Sequence, residues 1–136
     1  MKVLIIDGQG GGLGKLLVEE LKNEAGIEIT AVGTNSSAAA AMHKAGALQA
    51  ATGENSVIVG CRKADVIVGA VGIAVADSLL GEITPAMAAA VGQSNAKKIL
   101  IPANKCDIII AGCEPKTVTA YVQDAAAKVR SLLSGS

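Results

Sequence analysis

The sequence of 136 residues has no tryptophan or phenylalanine and a single tyrosine, Tyr121. Its core must therefore be built from Val, Ile, Leu and Ala, which is typical of a parallel sheet covered by helices of small residues. Hydrophobic residues make up 51% of the chain, and this length suffices for one domain with a substantial core. We expect residues 1–136 to form a single domain.

The chain also lacks an excess of charge, because 12 Lys and Arg residues balance 12 Asp and Glu residues. A balanced chain has no electrostatic footprint for nucleic acid or for an anionic membrane surface. No apolar run approaches the length of a membrane span, and the run 3–6 is too short for a signal peptide. We therefore expect a small molecule, rather than nucleic acid or a membrane, as the partner.

Metal sites and reactive thiols are poorly supported by the side chains present. One histidine, His43, and three cysteines without Cys-x-x-Cys spacing cannot form a zinc tetrad, so no metal is expected. Cys61, Cys106 and Cys113 are odd in number, which favours reduced thiols and a cytoplasmic location.

A glycine-rich stretch follows the first predicted strand, the short and fully apolar run 3–6. Leucines then recur at helical spacing. A strand, a glycine turn and a helix form an anion site, because glycines let the backbone approach a phosphate and the first helical N–H groups point at it. The alternative is a tight turn without a ligand. The residues predicted to bind a nucleotide phosphate are Gly8, Gln9, Gly10, Gly11, Gly12, Leu13 and Gly14.

The glycine spacing distinguishes between known phosphate-binding motifs. The G-x-G-x-x-G fingerprint and the P-loop pattern both fail. Gly8, Gly12 and Gly14 fit G-x-x-x-G-x-G, which resembles the cofactor loop of short-chain dehydrogenases and reductases. That resemblance implies a Rossmann-type sheet and NAD(P) as the cofactor. It stops before catalysis, because Ala125 stands four positions after Tyr121, where that family's Tyr-x-x-x-Lys pair has a lysine.

The end of the second predicted strand, 27–32, is the ribose position of a Rossmann fold. An acidic residue there would bind the 2′-hydroxyl of NAD, but this sequence has Thr34, Asn35 and Ser36. These short donors can bond a 2′-phosphate or a plain ribose, so they favour NADP slightly. The alternative role is helix capping, since Asn35 or Ser36 precedes a run of alanines.

Two further strand ends complete the predicted pocket. Thr52, Gly53 and Asn55 follow the short third strand, where they contact a base, ribose or substrate unless Thr52 only caps the next helix. Gly72 closes the central strand 65–72, next to the first strand, at the point where such sheets bind ligands.

Whether the chain is an enzyme stays open at this stage. The polar groups expected near strand ends or pocket loops include Glu54, Glu82 and Lys105. Chemistry is expected of Glu54, as a general base, and of Lys105, as a clamp for a phosphate or oxyanion. These two are the candidate catalytic residues.

The order of predicted elements indicates an α/β fold, a three-layer and mostly parallel Rossmann-like sheet with strand order 3-2-1-4-5-6. The last strand, 107–111, follows strand 97–101 too closely for a parallel crossover, so we expect it to be antiparallel at the sheet edge. The apolar stretch 73–83 covers the pocket or forms a homodimer contact, and the low charge fraction favours a homodimer.

Four short motifs resemble a family of bacterial proteins known only as a domain of unknown function. They are DGQGGG at 7–12, ATGEN at 51–55, GEITP at 81–85 and KILIP at 98–102. The resemblance spans nearly the whole chain and implies a bacterial protein, but it supplies no activity.

Three functional hypotheses remain. The first is a stand-alone module that binds a nucleotide, most plausibly NAD(P), as a sensor or accessory subunit. The second is a small enzyme acting on a phosphorylated or nucleotide substrate, with Glu54 and Lys105 in its pocket. The third is a structural or interaction protein in which the glycines only pack a helix on the sheet.

Overall fold

The computed structural model of the protein describes residues 1–103 and 107–135. Within this part, no helix is long and apolar enough to cross a membrane. A single 3₁₀ turn, Val71–Ala74, follows the fourth strand. The strands and helices are β1 Lys2–Asp7, α1 Gly12–Leu21, β2 Glu28–Gly33, α2 Ser36–Ala45, β3 Gln49–Thr52, α3 Glu54–Lys63, β4 Val66–Ala70, α4 Pro85–Gln93, β5 Lys97–Ile101 and α5 Val118–Leu133.

The five strands form one sheet in the order β3-β2-β1-β4-β5, and every neighbouring pair is parallel. β1 lies at the centre, where helices cover both of its faces, so its residues after Lys2 are all buried. In register, Asp7 of β1 pairs with Gly33 of β2, so these two strands end level with each other. The predicted α/β, Rossmann-like fold is confirmed.

The predicted sixth strand is wrong. Residues 107–111 adopt no strand, and Ile109 is 93% exposed. Three consecutive isoleucines favour a strand by composition, but β-propensity describes a fit to a half-buried sheet surface and does not itself supply a partner strand. The segment instead belongs to the connection that leads from β5 to α5, where Thr117 caps the helix through a bond from the Ala120 N–H (3.1 Å).

Alternate residues of β1 point to two separate cores. Val3 and Ile5 pack with Leu17 of α1 and with α2 and α5 on one face of the sheet. Leu4 and Ile6 pack on the opposite face with residues of α3 and α4. The buried residues of both cores are aliphatic or small, and the partly buried Tyr121 packs against the edge of the first core.

Helix starts agree with the sequence signals in most places. Asn35 caps α2 by accepting the Ala38 N–H (2.8 Å), and Thr84 caps α4, which begins with Pro85. The predicted cap at Thr52 is wrong, because α3 has Gly53 at its N-cap without a side-chain bond. Helix α1 ends at Leu21, and the chain turns before β2.

We predict that packing at the sheet centre makes Gly69→Ala destabilising. A Cβ at Gly69 would lie 2.7 Å from the Ile6 carbonyl oxygen and 2.8 Å from Ile73 Cδ1. Such overpacking should lower the free energy of unfolding by about 1–3 kcal/mol. The control is Gly92→Ala in α4, where a Cβ meets nothing within 4 Å and should raise stability by up to about 1 kcal/mol. Urea unfolding measures both, and equal stabilities would contradict the packing argument.

Candidate functional site

The glycine loop joins β1 to α1 at the carboxyl edge of the sheet. It includes residues 8–11, and the first turn of α1 continues from Gly12. β1 pairs with β2 on one side and with β4 on the other, so the loop lies where the strand order reverses. Open α/β sheets bind ligands at this crevice. We therefore take the loop and the segments around it as the candidate site.

Asp7, the last residue of β1, holds the inner side of the loop together. Its Oδ1 accepts the Gly8 N–H (2.8 Å) and its Oδ2 accepts the Gly14 N–H (2.6 Å). The side chain is buried, and burial raises the pKa of its carboxyl against the opposing effect of the Gly14 and Gly8 bonds. One carboxylate thus joins both ends of the loop, and sequence reasoning assigned it no role.

Three of the loop glycines are required by packing alone. Gly11 has a φ of 76°, and a Cβ there would lie 2.9 Å from Ala38 Cα. At Gly14 an added Cβ would lie 2.9 Å from Asp7 Cβ, and at Gly8 it would lie 2.7 Å from Thr34 Oγ1. These positions favour glycine whether or not the loop binds anything.

The outer side of the loop has open space around its glycines. Gly10 and Gly12 are exposed, and a Cβ at either position would meet nothing within 4 Å. In the described part of the chain, the N–H groups of Gly10, Gly12 and Leu13 have no hydrogen-bond partner, whereas the Gly11 N–H bonds the Gly8 carbonyl (2.9 Å). Unpaired N–H groups at a helix N-terminus can accept an anion, which the helix dipole also favours.

Glu82 accepts hydrogen bonds from three groups that the sequence analysis had assigned to ligand binding. Its Oε1 accepts the Gln9 N–H (2.8 Å), the Thr34 hydroxyl (2.5 Å) and the Asn35 Nδ2–H (3.0 Å). The Thr34 bond is the main cause that lowers the pKa of Glu82, and the Gln9 and Asn35 bonds add to it against partial burial. A negative charge therefore lies between the ends of β1 and β2. The sequence places Glu82 near the pocket, but no local pattern pairs it with Thr34, which is 48 positions away.

Glu82 is supplied by the segment 71–83, which follows β4 and covers the crevice. Ile73, Leu79 and Ile83 anchor it in the core. Ser78 Oγ donates to the Gly72 carbonyl oxygen, and the Ile83 N–H bonds the Ser78 carbonyl (3.2 Å). The prediction that this stretch covers the pocket agrees with this placement, whereas its role as a dimer contact stays a prediction.

The segment contains unusual backbone conformations. Asp77, Leu79 and Leu80 have φ values of 66°, 56° and 55°, in the left-handed region that disfavours residues other than glycine. Burial of the Leu79 side chain against the glycine loop offsets this conformational cost. Its Cδ1 lies 3.2 Å from the position that a Cβ on Gly8 would occupy. The covering segment is therefore fixed against the glycine loop by an apolar contact as well as by Glu82.

The other predicted site residues divide between this crevice and its surroundings. Thr34 and Asn35 contact Glu82, while Ser36 begins α2. Thr52 pairs with Gly33, and the Gly53 N–H bonds the Gly33 carbonyl (2.9 Å), which places them at the far end of the same edge.

The candidate catalytic residues are not brought together. Glu54 is the first residue of α3, next to Gly53 at the N-cap. Lys105 lies outside the described residues, so the predicted pair stays a prediction. Asn55 lines a separate cavity.

That cavity, about 540 Å³, lies between α3 and the β1–β3 part of the sheet. Its lining includes Leu4, Thr30, Gln49, Asn55 and Lys63, and it contains no residue of the glycine loop. This cavity is therefore distinct from the candidate anion site.

Thiols and metal ligands contribute little to the described part of the site. Cys61 is buried in the core, and burial raises the pKa of its thiol to about 11. Cys113 lies 3.9 Å from the Tyr121 hydroxyl, far along the chain in the connection to α5. Cys106 lies outside the described residues, and within them no group of three His, Cys, Asp or Glu side chains could hold a metal.

We predict that Glu82 makes stability depend on acidic pH. Because the fold lowers the pKa of Glu82 below its ordinary 4.5, its contribution is present above that value and is lost as pH falls through the lower folded pKa. The melting-temperature difference between wild type and Glu82→Gln should therefore shrink between pH 7 and pH values of about 3. Glu19→Gln, which removes an exposed carboxylate from α1, is the charge control. The same pH dependence in both variants would contradict this prediction.

Two solved structures are similar to this chain, and the first of them supports the fold. A dodecameric, FMN-dependent UbiX-like decarboxylase from Escherichia coli O157:H7 is similar over 98% of this chain and 95% of its own, with 17% identity and a TM-score of 0.51. A short-chain dehydrogenase/reductase from Serratia marcescens BCRC 10948 matches over 94% of this chain and 65% of its own, with 16% identity and a TM-score of 0.44. No match was found among curated proteins.

The sequence family is defined over almost the whole chain. The family model described as "Domain of unknown function (DUF3842)" matches residues 2–134. This agrees with the resemblance inferred from the four short motifs. The chain belongs to the DUF3842 family.

Proposed function

We propose that this protein binds a nucleotide through its phosphate group at the outer side of the glycine loop. The observation that carries the proposal is the set of unpaired N–H groups of Gly10, Gly12 and Leu13, found among the described residues at the start of α1. They lie at the crevice where the strand order reverses. The α1 dipole adds a partial positive charge at the same point.

The glycines themselves support this proposal. Packing explains Gly8, Gly11 and Gly14, but Gly10 and Gly12 have open space around them. A glycine without a steric requirement costs conformational entropy, and Gly12 also occupies a helical position where alanine would be more stable. Close approach of a ligand to the backbone accounts for both residues.

One N–H group that the sequence analysis assigned to the phosphate, that of Gln9, is already used. The Gln9 N–H bonds Glu82, so the phosphate is held by the remaining N–H groups of Gly10, Gly12 and Leu13. The negative charge of Glu82 repels an anion bound here, so the anion has to sit on the α1 side of the loop. The site therefore fits one compact phosphate or diphosphate group rather than an extended chain of phosphates.

NAD(P) is the first candidate ligand, because the G-x-x-x-G-x-G spacing resembles the cofactor loop of short-chain reductases. The E. coli fold neighbour is described as FMN-dependent, so FMN belongs among the probes. We propose a binding module that acts as a sensor or accessory subunit.

We also propose that the protein is a homodimer in the cytoplasm, with residues 73–83 of the covering segment at the contact. Leu80 is 90% exposed there and Val75 is 37% exposed. Exposed apolar groups on a rigid segment favour association.

The dimer contact predicts that Leu80→Lys weakens association. Sedimentation velocity should show wild type as a dimer and the variant shifted toward monomer, because a lysine would have to lose its hydration in the contact. Ile109→Lys, which changes a residue 93% exposed outside the segment, is the control. A monomeric wild type, or an equal shift in both variants, would contradict the proposed contact.

The binding proposal predicts that Gly10→Ala and Gly12→Ala weaken nucleotide binding without lowering stability. A methyl group on the open side of the loop keeps the phosphate from the N–H groups, so calorimetric titration with NAD, NADP, FMN and AMP should show about tenfold or greater loss of affinity. Gly92→Ala adds the same methyl group to a helix far from the loop and should bind as wild type does.

Three outcomes would contradict the binding proposal. One is wild type that binds none of the four nucleotides. Another is unchanged affinity in both loop variants, which would place any binding elsewhere on the protein. A loss of affinity that accompanies a loss of stability would also count against it, since open space at these positions implies that the fold tolerates the methyl group.

A further inference from the structure

We propose that Glu82 determines which nucleotides the site accepts: it admits a ribose with free hydroxyls and rejects one that carries a 2′-phosphate. This inference rests on the proposed function, since it requires the nucleotide's 5′-phosphate end to lie on the N–H groups of Gly10, Gly12 and Leu13. It replaces the slight preference for NADP that the sequence indicated.

The first argument is the position of the carboxylate. Glu82 bonds Gln9 in the glycine loop, and Thr34 and Asn35 directly after β2. The end of β2 is where a Rossmann fold contacts the ribose of a bound nucleotide. β2 itself supplies no acid there, but segment 71–83 brings one to the same place from the other side of the crevice.

The second argument is the use of the nearby donors. A hydroxyl has one proton to donate, and Thr34 gives it to Glu82. The amide of Asn35 has two, and its Nδ2 donates to the Gln9 carbonyl oxygen (3.0 Å) and to Glu82 (3.0 Å). Two of the three side chains that the sequence offered to a 2′-phosphate, Thr34 and Asn35, therefore have no proton left for it.

The third argument is that one oxygen of the carboxylate can still accept a hydrogen bond. Oε1 of Glu82 accepts from Gln9, Thr34 and Asn35, whereas Oε2 accepts only the longer bond from the Gln9 N–H (3.2 Å). Oε2 can therefore accept a proton from a ribose hydroxyl. A 2′-phosphate has only acceptor oxygens and negative charge to offer, and both are unfavourable beside a carboxylate.

Within residues 1–103 and 107–135, no positive side chain forms an ion pair with Glu82. Among the described residues, the ion pairs are those of Lys128 with Asp124 and of Arg130 with Glu20 and Glu24, all distant from the loop. The described part of the chain holds Glu82 by the neutral donors of Gln9, Thr34 and Asn35, so its charge stays available to repel a second anion. The same bonds keep the carboxylate fixed in place.

The test is a comparison of ligand pairs that differ only by the 2′-phosphate. NAD against NADP, and AMP against adenosine 2′,5′-bisphosphate, should each be titrated calorimetrically into wild type, Glu82→Gln and the charge control Glu19→Gln. We expect wild type to prefer the ligand without the 2′-phosphate by about tenfold or more. Glu82→Gln keeps the shape and removes the charge, so its preference should fall to about threefold or less, while Glu19→Gln keeps the wild-type ratio.

The outcomes separate this inference from the proposed function. Equal wild-type affinities within each pair would overturn the role of Glu82 and leave nucleotide binding intact, as would an unchanged preference in Glu82→Gln. The wild-type ratios need no variant, so they decide the matter even where Glu82→Gln folds poorly. A failure of all four ligands to bind wild type and Glu82→Gln would overturn both the site and its selectivity.

Discussion

The buried carboxylate of Asp7 is the constraint on which the candidate site depends. It ends the central strand and bonds the N–H groups of Gly8 and Gly14, so the chain must turn from the end of β1 into the first turn of α1 within a few residues. Hydrogen bonds from N–H groups to a charged acceptor are among the stronger ones in proteins, at about 1.5–3 kcal/mol each. Burial works against the charge and raises the pKa of Asp7, so the loop geometry is what keeps an ionised group there tolerable.

This arrangement divides the loop into two sides with different purposes. The inner side is closed, because Gly8, Gly11 and Gly14 leave room for neighbouring atoms and their N–H groups are paired within the protein. The outer side, at Gly10 and Gly12, has open space, and among the described residues its N–H groups are unpaired. A glycine-rich loop is therefore partly a packing device and partly an exposed backbone surface. Only the second part can contribute to binding.

Glu82 connects the loop to the rest of the crevice. Through Gln9, Thr34 and Asn35 it joins the ends of β1 and β2 to the segment that follows β4. Its charge and that of Asp7 lie close enough for Glu82 to raise the pKa of Asp7. Two carboxylates around a loop proposed to bind phosphate are an unusual combination. The two carboxylates are compatible with phosphate binding when the phosphate lies on the α1 side, because their charges then limit the space that an anion can occupy.

The sequence by itself determined the five parallel strands, the capping of α2 and α4, and the position of the glycine loop, because these depend on local periodicity, cap residues and turn residues. It misplaced strand 107–111, because isoleucines favour a strand while pairing depends on tertiary contacts. Only the tertiary structure decided which N–H groups stay unpaired and that Glu82 reaches Thr34 across 48 residues. No periodicity encodes such a contact, since it arises from how segment 71–83 folds over the sheet edge.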